Sequence, residues 1–496
     1  MSAERPAETR NRPAARGLRA AHGFDRLTRV AAAGLLGSIG AAAWHDVSRA
    51  WDVWYYHLPF AARLAGVVPA GEYVLHPNNQ ARFAGFPLLG EALQGALWRL
   101  TGRAEGANLV AFAAVPLLAW FLTRALRVPW HLGLLALLAI PLVHVHATSC
   151  YVDLPANAAA SVVVLLAIRA HASRRPLRAP TLALAVLAAA IAANMKVMLG
   201  PIVLCGLGAL GVELYRQGRS APVRSKLGAA AVALAALGLV FATPLKNALL
   251  HGNPWYPIRV DVLGHLLPGT DTPYASWPPW LDSAPQPLRF VCSLAEIGIR
   301  PFSSTKRWTV DQWMPDSAGN RMGGFFGAYV VVSLGLFVWL VLRERSRRGR
   351  VAAIGFAALT LLVAFMPQSH ELRYYMCWMM VLVALNGWLA CSAQAAAKLT
   401  VTPAARVLVA VSLGALGVVL AVSQGGYVYP SGSSFRELVR EQVSDAAVER
   451  IPERGQVCVA HEPWVILWAA AFHPPRHYVV HEAEQASDCA GYPRAD

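Results

Sequence analysis

The chain has 496 residues, 56% of them hydrophobic and 15% charged, with a formal net charge of +16 and a mean hydropathy of +0.41. Soluble domains carry roughly a quarter of their residues as charges, which excludes a water-soluble globule and points to an integral membrane protein. The basic excess does not mark a nucleic-acid binder, because Arg and Lys fall in short clusters between apolar runs, the pattern of cytoplasmic loops.

Residues 1–29 contain seven Arg and no sustained apolar run, and read as a basic cytoplasmic tail. The apolar segment from Val30 to about Trp44 ends in Ala41-Ala42-Ala43, which imitates a signal-peptide cleavage site. Twenty-nine residues is a long basic lead for a signal, so this segment reads as an uncleaved first helix. Apolar runs follow at about 106–124, 129–148, 153–171, 179–195, 197–215, 227–245, 323–342, 351–367, 374–392 and 405–423. With the first, these make about eleven spans, each close to the roughly 20 residues a helix needs to cross a bilayer. The expected fold is an all-α polytopic membrane protein.

Phe83–Leu100 is also apolar but carries Glu91, Gln94 and Arg99. If it lies on the membrane surface as an amphipathic helix, the Arg-rich loops 169–178, 216–226 and 343–350 all face the cytoplasm. The N-terminal tail, Arg124, Arg127 and Lys398 then join them. If it crosses, those clusters fall outside, so the surface reading is adopted. The same parity places 45–105, the turn 149–153, the Pro- and Trp-rich loop 246–322, the turn 368–373 and the segment 425–496 on the periplasmic side. The chain thus divides into a tail (1–29), a membrane module (30–424) and a C-terminal periplasmic segment (425–496). Two short β-prone patches in the last suggest a small α/β appendage. Cys458 and Cys489 also lie there, and an oxidising compartment would let them pair. The other five Cys sit in or beside apolar runs and read as inert.

Charges at membrane boundaries are costly and mark function by default. Asp52 stands just past the first helix in Trp51-Asp52-Val53-Trp54-Tyr55-Tyr56-His57-Leu58-Pro59. Asp153 lies in Tyr151-Val152-Asp153-Leu154-Pro155, where it can equally cap the next helix. Lys196 precedes Gly200-Pro201 at another periplasmic turn, and Lys246, His251 and Arg373-Tyr374 occupy similar positions. For the lysines, snorkelling to the interface is the competing role. Gly206-Leu207-Gly208-Ala209-Leu210-Gly211 fits a dinucleotide-binding pattern but lies inside an apolar span without a preceding strand, so it reads as close helix packing. His144-Val145-His146 has no carboxylate or Cys at ligand spacing. No Walker motif is present.

The order of these landmarks resembles the C-type glycosyltransferases (GT-C), which include the protein O-mannosyltransferases and the lipid A aminoarabinose transferases. Asp52 followed by Tyr56 and Pro59 is similar to their first acidic motif, and Phe83–Leu100 to the juxtamembrane helix of their first periplasmic loop. Val152-Asp153-Leu154-Pro155 resembles the second acidic turn. Lys196 before Gly200-Pro201, Asn253-Pro254-Trp255-Tyr256-Pro257 and Arg373-Tyr374 resemble later landmarks. The resemblance spans roughly 30–424. It departs from the mannosyltransferases at Val53, where they carry Glu in an Asp-Glu pair.

The resemblance implies a GT-C arrangement with amphipathic juxtamembrane helices, a polyprenyl-phosphate sugar donor and inversion at the anomeric carbon, on the periplasmic face of a bacterial inner membrane. The partners expected are that donor, membrane lipids and a glycan, lipid or protein acceptor, with no cofactor or metal. An acceptor hydroxyl needs a carboxylate to take its proton, and a departing lipid phosphate needs cations. Asp52 is therefore the expected base, with Asp153 orienting the acceptor or assisting the base. Lys196, Lys246 and Arg373 are expected at the carrier phosphate, and Tyr56, His57, His251 and Tyr374 line the site. The rival expectation is a transporter or flippase of a lipid-linked substrate, which would place its charges near the midplane and show paired repeats.

Overall fold

The computed structural model describes residues 12–173, 176–220, 222–262, 264–272, 282–295, 324–391, 402–422, 428–489 and 491–495. Helix α1 (Arg12–His45) leads to a π-helical turn at Val53–His57, then α2 (Leu58–Ala65), strand β1 (Tyr73–Val74), α3 (Pro77–Gly85) and α4 (Leu89–Thr101). Helices α5 (Leu109–Phe121), α6 (Trp130–Leu138), α7 (Pro141–His146), α8 (Asp153–Ser173), α9 (Ala179–Met195), α10 (Gly200–Gln217), α11 (Val223–Val240) and α12 (Ala242–His251) follow. Next come the hairpin β2 (Val260–Val262) and β3 (His265–Leu267), then α13 (Gln286–Leu294), α14 (Gly327–Glu344), α15 (Arg347–Phe365), α16 (Met376–Ala390) and α17 (Pro403–Val422). The C-terminal segment holds α18 (Phe435–Gln442), α19 (Asp445–Arg450), β4 (Gln456–Val459) and β5 (Val479–Glu482).

Among the described residues eight helices are long and apolar enough to cross a membrane: Gly23–His45, Ala104–Leu126, Asp153–Ser173, Val197–Gln217, Val223–Val240, Gly327–Glu344, Arg347–Phe365 and Pro403–Ala421. The other three expected runs are shorter helices. One is α9. The run 129–148 is split into α6 and α7 at Ile140-Pro141, where proline removes a helix donor and forces the preceding residue extended. The third, α16, has 15 residues, all buried inside the protein. Much of the expected loop 246–322, as well as Lys398, lies outside the described residues.

Helix α8 is the axis of the bundle and packs on α5, α9, α10, α15 and α16. Asn157, one turn into α8, donates to Asp153 O (2.8 Å) and Arg373 O (3.2 Å) and accepts from Cys377 N (2.9 Å). This buried amide ties the start of α8 to the turn before α16, so the two segments reach the same rim in fixed register.

The surface segment expected at Phe83–Leu100 is two helices rather than one. Phe86, before Pro87, is extended with ψ 152°, which ends α3 and allows α4 to turn inward. The polar face of α4 is buried in the protein: Glu91 and Gln94 are both inside, and Gln94 donates to Cys150 O at 2.5 Å.

The appendage is a three-stranded parallel sheet in the order β1-β5-β4, with Tyr73 opposite Val480 and Val457 opposite Val480 on its other side. Its outer strand β1 comes from the loop after α2, so the segment is stitched into the membrane module. Cys458 and Cys489 form a disulfide.

Candidate active site

Asp52 sits at the start of the π-helical turn between α1 and α2. Single π turns widen a helix locally and often occur at functional sites. Here the turn fans four consecutive rings onto four supports. Trp54 is stacked on Phe435, and the Tyr55 hydroxyl donates to Glu484 Oε1 at 2.9 Å. Tyr56 packs edge-on against Phe86, and His57 Nδ1 lies 2.7 Å from Glu91 Oε1. Asp52 thereby precedes a turn whose four rings are each packed or hydrogen-bonded.

Opposite it, Arg373 Nη1 donates to Asp52 Oδ2 at 2.9 Å. Arg373 also donates to the Tyr374 hydroxyl (3.3 Å), and its guanidinium lies over the rings of Tyr374 (5.0 Å) and Tyr151 (5.3 Å). Lys196 Nζ stands 4.1 Å from the centroid of the same Tyr374 ring and 2.7 Å from Asp153 Oδ1. Two ion pairs are thus bridged by one aromatic ring. The side chain of Asp153 is 1% exposed and that of Arg373 9%, against 24% for Asp52 and 17% for Lys196. Asp52 is the more exposed of the two carboxylates.

Five expected residues therefore meet: Asp52, Asp153, Lys196, Arg373 and Tyr374. Tyr56 and His57 belong to the same turn, and the His57 ring meets Tyr151 edge-on at 5.6 Å. Lys246 and His251 are engaged otherwise. Lys246 Nζ donates to Ala84 O at 2.5 Å, capping the end of α3, while His251 stacks on Tyr256 at 3.8 Å. Neighbouring Asn247 donates to Gly85 O and Tyr256 O, so this stretch of α12 fastens the juxtamembrane helix.

Several members of the site had no sequence assignment. Tyr151 is the platform between Arg373, His57 and His146, the last at 4.9 Å between centroids. Glu91 is the buried partner of His57. Arg82, on α3, pairs with Asp271 at 2.7 Å and covers the Tyr55 ring. Their only sequence signal is a polar residue within an amphipathic segment or an aromatic beside an acid.

The Gly206 motif is packing at one position only. A Cβ at Gly206 would lie 2.7 Å from Val163 on α8, whereas Gly208 and Gly211 face open space. Among the described residues no group of three or more His, Cys, Asp and Glu could hold a metal.

No family model matches the chain, and no curated protein matches it. Among solved structures, ArnT from Cupriavidus metallidurans in the apo state aligns over 96% of this chain and 90% of its own, with a TM-score of 0.54 and 14% identity. ArnT from the same organism bound to undecaprenyl phosphate aligns over 93% and 90%, with a TM-score of 0.49 and 14% identity. The likeness to the apo structure is one of fold: this chain is a polytopic all-α membrane protein with an overall fold similar to that structure.

Proposed function

We propose that the protein is an inverting glycosyltransferase that moves a sugar from a polyprenyl-phosphate donor to an acceptor on the periplasmic face of a bacterial inner membrane. The observation that carries this reading is the pair of ion pairs, Asp52–Arg373 and Asp153–Lys196, gathered around Tyr374 at one rim of a membrane bundle. A transfer to a hydroxyl needs a carboxylate for the incoming proton and cations for the departing phosphate, and the rim holds both.

In the proposed step the acceptor oxygen forms a bond to the anomeric carbon as the bond from that carbon to the phosphate oxygen breaks. The acceptor proton passes to Asp52, and the polyprenyl phosphate leaves with the negative charge. Each cation is already held by a carboxylate, so the donor phosphate enters a balanced quartet. Drawing the Arg373 fork toward the phosphate frees Asp52 Oδ2 for the acceptor proton, which couples donor binding to activation of the acceptor. Asp153 is too buried to meet a bulky acceptor and serves to hold Lys196. The scheme calls on no cofactor.

A lipid donor also needs a place for its chain. Further along the bundle, beginning about three turns past Asp153 on α8, the helices α8, α10 and α15 line a mostly apolar cleft of about 420 Å³ that runs to His171 and Arg347 at the opposite end of the bundle. Val164, Ile168, Ile202, Ile354, Leu359 and Leu362 are among its walls. Such a surface suits an isoprenoid chain. Bulk introduced at Ala167 or Ala358 tests this: replacement by Phe should raise the donor KM without moving the apparent KM for acceptor, and an unchanged donor KM would remove the cleft from the scheme.

A further inference from the structure

We infer that the C-terminal appendage positions the base, and that Glu484 is the positioning residue, acting on Asp52 through the Tyr55 hydroxyl. The inference rests on the reading of Asp52 as the base.

The appendage grips the chain on both sides of Asp52. Before it, the Asp46 carboxylate accepts from Ser431 N (2.7 Å) and Gly432 N (2.9 Å), and Arg49 makes a two-pronged pair with Glu441 at 2.8 and 2.6 Å. After it, the buried Trp54 ring lies between Phe435, stacked at 6.0 Å, and Trp464 at 5.8 Å. Tyr55 then donates to Glu484 Oε1 at 2.9 Å, and Asn79 bridges Tyr55 O (3.2 Å) and Glu482 Oε1 (2.8 Å). Strand β1 joins the same sheet beside β5, with Val480 N donating to Glu72 O at 2.9 Å.

Of these ties the one at Glu484 is nearest in kind to a control point. Its Oε1 accepts from both Tyr55 and Asn78 Nδ2, each at 2.9 Å, and meets His76 Nδ1 at 3.3 Å. One carboxylate thus fixes the π turn and the start of α3 together. Asp52 stands three residues before Tyr55 in that turn, so a shift of the ring moves the carboxylate against Arg373 and the donor. Misplacement of a reacting group by about 1 Å costs up to a hundredfold in rate. Glu484 lies two residues beyond β5, so the sheet that holds β1 also carries the carboxylate that meets the Tyr55 hydroxyl.

The test uses the full-length protein in lipid bilayers, comparing Glu484→Leu, Glu484→Gln, Tyr55→Phe and the Glu484→Leu/Tyr55→Phe double variant. Glu484→Leu should lower kcat about tenfold with both KM values within about twofold. Glu484→Gln, which keeps an acceptor for the hydroxyl, should retain most of kcat. Tyr55→Phe should match Glu484→Leu, and the double variant should be no worse than either. Independent of turnover, amide hydrogen exchange across residues 51–58 should accelerate in Glu484→Leu and not in Glu484→Gln. Additive losses, an unaltered kcat, or unchanged exchange in the turn would overturn the inference. A raised acceptor KM at constant kcat would overturn it in favour of acceptor binding by the appendage. If the wild type transfers no sugar, the reading of function fails, and hydrogen exchange decides the positioning role by itself.

Discussion

Asp52 and Arg373 stand 321 positions apart in the chain and meet in a 2.9 Å ion pair at the rim of the bundle. Arg373 is buried, and the pair is its link to the open side of the site. Asp52→Asn keeps the shape of the acid but replaces a charge-assisted bond with a neutral one. The expected outcome is a folded protein destabilised by about 1–2 kcal/mol, with transfer lowered by about 10²–10⁴-fold. Thermal unfolding in lipid and a turnover assay on the same preparation separate the two effects.

Lys196 has two duties in the scheme, and they can be separated. Removing it strands the fully buried Asp153 carboxylate, so Lys196→Ala should cost about 3 kcal/mol in stability. The double variant Asp153→Asn/Lys196→Ala removes the stranded charge and should recover most of that loss. Its donor KM should stay at least about tenfold above wild type if Lys196 meets the phosphate. Full recovery of donor KM in the double variant would confine Lys196 to a structural role.

The appendage should loosen with rising pH. Burial pushes the Glu482 carboxyl from its usual 4.5 up to about 7, against the opposing bonds from His76 N and Asn79. A raised acid pKa in the folded state means that the protonated form is favoured by folding. Its contribution is complete below pH 4.5 and is lost as the pH climbs through 7. Glu482→Gln should remove this slope, making the appendage more stable than wild type at pH 8 by about 1–3 kcal/mol and no more stable at pH 4. Limited proteolysis of the appendage across that range would reveal a persisting slope in the variant, the outcome that counts against Glu482.

The disulfide closes a loop of 31 residues from β4 to the end of the chain's last helical turn. Constraint of the unfolded chain by a loop of this size is worth about 2–4 kcal/mol. Cys458→Ser should therefore lower the unfolding temperature of the appendage while leaving the helical content of the membrane module unchanged by circular dichroism. Loss of helical signal in the same variant would contradict a local role.

The membrane module was legible because its cause is local. Long apolar runs and Arg clusters appear in the sequence as blocks, and a lone acid next to such a run is costly enough to be noticed, as with Asp52 and Asp153. What escaped was the product of distant packing. Glu91 looked like the wet face of a surface helix, and only the break at Pro87 and the bond from Gln94 to Cys150 turn that face inward. Lys246 has the same sequence setting as Lys196, yet it caps α3. The difference lies in which carbonyl or carboxylate the bundle brings alongside. Strand β1 has two residues, too few for any alternation, and exists because β5 offers it an edge some 400 positions later. The run at 129–148 has the composition of a span, but Pro141 divides it.

The measurement that bears most directly on the central claim is sugar transfer from synthetic polyprenyl-phosphate sugars by the purified protein in lipid, with Asp52→Asn as its partner. The account predicts that the wild type releases polyprenyl phosphate from at least one donor and that the folded variant does not. Equal consumption by both would contradict the assignment of Asp52. If no donor in a broad panel is consumed while the folded protein moves a lipid across vesicles, the transferase reading itself is contradicted.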